Sequence, residues 1–133
     1  MTEATIAFCV LLDGLANAPE YSVTDVSDFY DSAFEYSRLL QSLESTPEFT
    51  DSEKECIQRS FPIAIQRAAE ITNELAQNKS IEELRDLLSK IEVVTNDIFN
   101  VYQIASNGEI SSDVNDSIQK LQSVHASIQQ QLA

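Results

Sequence analysis

The chain has 133 residues, a hydrophobic fraction of 43% and a formal net charge of −14, which points to one globular domain spanning 1–133 and excludes a chain too polar to build a core. With 22 acids against 8 bases, the surface has the wrong sign for direct binding to nucleic acid or to an anionic membrane. Two glycines and three prolines are too few for the many tight turns of a sheet protein, so the expected fold is all-α.

The first helix is expected over residues 3–15, with Thr2 as its cap and Gly14 to Pro19 ending it. Ile6, Phe8, Cys9, Val10, Leu11, Leu12 and Leu15 go most of the way round, which predicts burial on more than one side. The apolar run Ile6 to Leu12 follows Glu3 and runs into Asp13. It has neither the basic start of a secretory signal nor the length of a membrane span, so a cytoplasmic protein is expected.

The second helix is expected over 24–45, with Thr24 as N-cap. At 100° per residue, Phe29, Ala33, Tyr36, Leu40 and Leu43 share one face, which Tyr30 and Phe34 widen. Asp28, Asp31 and Glu35 fall on the opposite face. Thr46-Pro47 marks a break, and Thr50-Asp51-Ser52-Glu53 reads as a capping box opening the third helix. Its register, Ile57, Phe61, Ile65, Ala68, Ile71 and Leu75, contains Pro62, which predicts a helix kinked or broken there.

Ser80 to Glu83 forms a second capping box, and Asn107-Gly108 supplies a left-handed stop, giving a fourth helix over 80–106. Its apolar arc is about 150° wide, suited to a central helix, with Val93 and Ile104 expected on the far side. Ser112 is expected to cap the last helix, whose narrow seam runs Val114, Ile118, Leu121, His125, Ile128 and Leu132. Long helices and short connections together predict an antiparallel helical bundle of four to six helices.

The residues offer little for chemistry. His125 is the only histidine, Cys9 and Cys56 lie far apart, and no calcium, zinc or carboxylate-bridged di-metal motif is present. No catalytic residue, metal site or cofactor is therefore expected. The two cysteines read as small buried hydrophobes. His125 reads as a packed histidine with one nitrogen bonded to a neighbour or to water, and a phosphotransfer role would require the last seam to face outward.

Charge is the remaining clue. Residues 1–55 carry twelve acids against Arg38 and Lys54, a net of −10, and the rest of the chain carries −4. Asp25, Asp51 and Glu53 serve first turns, whereas Asp28, Asp31 and Glu35 have no such local role. Their carboxylates recur about 5–6 Å apart on one helix face, close to the roughly 6–7 Å between phosphates along a nucleic-acid strand. With Glu20, Tyr21, Tyr30, Glu48 and Asp51 extending it, this surface suits a basic partner protein such as a nucleic-acid-binding protein or a nuclease. An inhibitor or antagonist is the function expected, of the immunity or anti-defence kind. The competing reading is a structural or adaptor bundle, such as a secretion chaperone or a homo-oligomer subunit, acting through apolar helix faces.

Overall fold

Small polar residues set where the helices begin. The computed structural model describes residues 2–43 and 48–133, with the side chain of Thr2 excluded. In order come α1 (Thr2–Asn17), α2 (Val23–Gln41), α3 (Asp51–Leu75), α4 (Ile81–Val93), a π-helical segment (Val94–Ile98), α5 (Phe99–Ala105) and α6 (Ser112–Leu132). No strand occurs among the described residues. The expected cap at Thr2 and the break at Thr46-Pro47 lie outside the described parts.

Capping boxes open α2, α3 and α4, formed by Ser22 with Asp25, Thr50 with Glu53 and Ser80 with Glu83. In each, the cap hydroxyl accepts from the backbone of the third helical residue, whose carboxylate accepts from the cap's own N–H. Two expected caps move. Ser22 replaces Thr24 because Asp25 completes a box only with a residue three positions back, and Ser111 rather than Ser112 accepts from Val114 N–H. At the other end of α5, Asn107 sits at φ 56° and Gly108 at φ 82°. Gly108 N–H reaches Gln103 O at 2.8 Å and Asn107 N–H reaches Ile104 O at 3.3 Å, the two bonds of a Schellman stop.

The break or kink expected at Pro62 is not confirmed. α3 runs as a single helix with Pro62 inside it. A mid-helix proline costs about 3 kcal/mol, but Phe61, Ala64 and Ile65 on either side are fully buried. Their packing, at about 1.5–3 kcal/mol for each large side chain, holds the helix together across the ring. The interruption comes instead at Val94–Ile98, inside the span expected as one continuous fourth helix. There the Thr95 hydroxyl bonds back to Ile91 O at 3.0 Å and Glu92 O at 3.3 Å, entering the backbone ladder.

Successive rods run antiparallel. Thr5 of α1 meets Tyr36 of α2 while Leu15 lies near Asp25; Phe61 of α3 stacks on Tyr102 of α5 at 4.9 Å while Leu75 lies near Leu87 of α4; and Glu92 of α4 meets His125 of α6 while Leu84 lies near Ile128. Non-successive neighbours are therefore parallel: α1 beside α3 from Cys9–Cys56 to Leu15–Arg67, and α2 beside α4 from Asp31–Lys90 to Ser37–Asp97. One continuous core runs through all the rods, including Phe29, Tyr30, Phe61, Ile91, Ile98 and Leu121. The α4–π–α5 rod touches α2, α3 and α6, as its wide apolar arc predicts.

Candidate protein-docking surface

The phase of α2 decides which of its side chains face solvent. With the Ser22 box fixing its start, Phe29, Ala33 and Tyr36 turn inward and Tyr36 stacks on Phe8 at 4.7 Å. Asp28, Asp31 and Glu35 consequently stand exposed on one ridge, as expected. They are not equivalent. Asp31 Oδ1 lies 2.6 Å from Lys90 Nζ, which also lies 2.8 Å from Asp86. Burial pulls the Lys90 ammonium down, but hydrogen bonds and charge from Asp31 and Asp86 outweigh it, and the pKa is raised. Asp28 and Glu35 make no ion pair among the described residues.

The other expected surface residues separate. Tyr30 is a correction: it is 1% exposed, with its ring in the core and its hydroxyl 2.8 Å from Thr72 Oγ1. Its position beside the inward face, rather than between the acids, is what sends it there. Tyr21 is half-buried and committed locally. Its hydroxyl donates to Glu70, and Arg67 lies 4.6 Å above its ring; the bond to Glu70 and its partial burial raise the hydroxyl's pKa. Arg67 also donates to Leu15 O and Ala18 O, each at 2.7 Å, meeting the negative end of the α1 dipole. Glu20, Glu48 and Asp51 are exposed. Glu20 precedes α2 and Glu48 and Asp51 follow it, so they lie at opposite ends of a helix of 19 residues, roughly 28 Å long. The expected patch is thus a central ridge with two distant outposts, and Glu44 lies outside the described residues.

Candidate chemistry elsewhere is already accounted for. Cys9 and Cys56 are buried free thiols, as expected, with Cys56 Sγ 3.6 Å from Cys9 O. Burial and the neighbouring Cys56 push the Cys9 thiol up to about 12. His125 Nε2 sits 2.8 Å from Glu92 Oε1, its side chain 19% exposed. Val124 takes the buried position in the seam that was expected of His125. Val93 and Ile104, expected on the far side of the fourth helix, are both half-buried, and Val93 packs on the core. No cluster of metal-ligating side chains occurs among the described residues, and no described helix is long and apolar enough to cross a membrane.

The sequence reading missed one surface. α1 is buried against α2 and α3, but its third side leaves Ile6 51% and Val10 66% exposed. The near-continuous hydrophobicity of this helix predicts burial on more than one side, which α2 and α3 supply, and Ile6 and Val10 lie on the side that remains. No family model, curated protein or solved structure matches this chain.

Proposed function

We propose that this chain is a non-enzymatic protein-binding module of the cytoplasm whose acidic N-terminal half docks on a basic site of another protein, as an inhibitor or antagonist. The observation that carries this reading is the pair Asp28 and Glu35, exposed on one helix without an ion pair among the described residues. Carboxylates fixed on a scaffold meet a basic site with little ordering cost, and the surrounding field speeds encounter. A site built to hold phosphates along a strand offers the matching row of cations. A nuclease or other nucleic-acid-binding protein, held in check by an immunity-type or phage-borne anti-defence antagonist, fits that chemistry.

The test is capture of partners from lysate of the source cell by the wild-type chain and by the triple variant Asp28→Lys, Asp31→Lys, Glu35→Lys. The expected partner is basic, is lost on reversal, is released between about 50 and 300 mM salt, and is displaced by nucleic acid. Capture that ignores both the reversal and the salt sinks the acidic-surface reading. The exposed side of α1 favours a second reading, an adaptor or homo-oligomer subunit working through apolar faces. A multimeric mass in solution would support it.

A further inference from the structure

The uncovered side of α1 and the acidic ridge of α2 are neighbours. Two depressions follow the seam between the helices. One, of about 150 Å³, is lined by Ala7, Phe8, Glu35 and Leu39 among others. The second, of about 330 Å³, is lined by Val10, Leu11, Gly14, Asp25 and Asp28 among others. Leu39 is 48% exposed, and a side chain added at Gly14 would meet open space. Apolar surface from α1 therefore forms the floor, and α2 carboxylates form one wall. α1 has 16 residues, about 24 Å of floor.

We infer that this groove between α1 and α2 receives a basic amphipathic helix of the partner, its apolar stripe against Val10, Ala7 and Leu39 and its cations against Asp28 and Glu35. This docking site rests on the acidic-surface reading above and adds shape and apolar contact to it. Charge selects the occupant. A second copy of a chain with net charge −14 would bring like charge to the same wall, and an anionic lipid surface would do the same. An uncharged apolar segment would leave the wall's carboxylates unanswered. A helix with apolar residues every three or four positions and flanking lysines or arginines satisfies floor and wall together.

The probe is a synthetic amphipathic peptide of about 18 residues, leucines on one face and lysines on its flanks, compared with a scrambled isomer of identical composition. Binding is read by fluorescence anisotropy at about 0.1 M salt. The patterned peptide is expected to bind at least about tenfold more tightly than the scramble, and Val10→Gln to weaken it about tenfold through lost apolar burial. Reversal of Asp28 and Glu35 to lysine should weaken both peptides. Val10 is exposed, so its variant keeps the fold, which circular dichroism checks.

Equal binding of both peptides, unaffected by Val10→Gln but lost on charge reversal, overturns the groove while leaving the acidic-surface reading standing. Binding of neither peptide overturns the groove, and the lysate capture then decides the broader reading separately. A dimer that Val10→Gln dissociates, or co-sedimentation with phosphatidylserine vesicles, assigns the groove to another occupant and also overturns it.

Discussion

Moving Tyr30 from the surface to the core has a measurable consequence. Thr72 Oγ1 donates to Ala68 O at 2.5 Å and lies 2.8 Å from the Tyr30 hydroxyl. The threonine has one proton, already committed, so the tyrosine must be the donor in the second bond. Tyr30→Phe removes that donor and leaves Thr72 still bonded to Ala68, a loss of about 1 kcal/mol. Thr72→Val does more harm, because it strands a phenol that is 1% exposed, at a cost of about 1–3 kcal/mol. The double variant removes both polar groups and should be more stable than Thr72→Val alone, with a coupling of about 1 kcal/mol. Urea denaturation with a constant slope checks the order, and thermal midpoints should differ by roughly 3–5 °C per kcal/mol in a chain of this size. Strict additivity of the two single variants would refute the donor chain. Tyr30→Phe should also leave partner capture unchanged, since its hydroxyl cannot reach a docked protein; a loss there would return Tyr30 to the surface.

Two further outcomes follow from the charged and thiol groups. With the Cys9 thiol held at about 12 against an ordinary 9.0, its thiolate fraction at pH 8 drops about a thousandfold on folding, so iodoacetamide should label it quickly only after denaturation. The raised value means stability from this group is present below pH 9 and lost as pH climbs toward 12, by of order 2 kcal/mol at pH 11; a flat alkaline melting curve would contradict it. Lys90→Met keeps the buried stem and removes the cation shared by Asp31 and Asp86. It should lower stability by about 1 kcal/mol at low salt, less at high salt, and tighten binding of a basic peptide by freeing Asp31. A stability loss without tighter binding would separate Asp31 from the docking surface.

Periodicity carried most of the fold. The stripe from Leu84 through Ile91 and Ile98 to Ala105 is buried along its length, because a 3–4 spacing of apolar residues leaves a helix one way to hide them. Caps were legible at Thr50 and Ser80, where a glutamate closes the box, and shifted by a residue or two where serines and threonines crowd, at Ser22, whose box closes on Asp25, and at Ser111. The π segment was not legible, since it depends on Thr95 bonding backward once neighbouring helices fix its surroundings. Pro62 misled for a related reason: the local cost of proline was visible, while the packing of Phe61 and Ile65 that offsets it was not. At the candidate surface, the ridge of Asp28, Asp31 and Glu35 followed from spacing alone. The bond that removes Asp31 from free play comes from Lys90, 59 residues away, beyond the reach of any local pattern.

That long-range bond is one of two that pair an acid of the N-terminal half with a cation from a later helix, and a third cation covers the end of α1. The net −10 of that half could be read as uniform repulsion needing relief from outside. Three cations from the later helices supply part of that relief internally. Arg59 meets Asp13 at 3.3 Å, Arg67 covers Tyr21 and the end of α1, and Lys90 meets Asp31. Each sits at a join between helices, Arg59 and Lys90 against a carboxylate and Arg67 against carbonyl oxygens and a ring. The carboxylates passed over by these cations include Asp28 and Glu35, which border the same apolar groove. Among the described residues Glu20, Glu48 and Asp51 also stand exposed without an ion pair, but Asp28 and Glu35 are the two that border the apolar side of α1, where carboxylates and exposed aliphatic side chains meet on one seam.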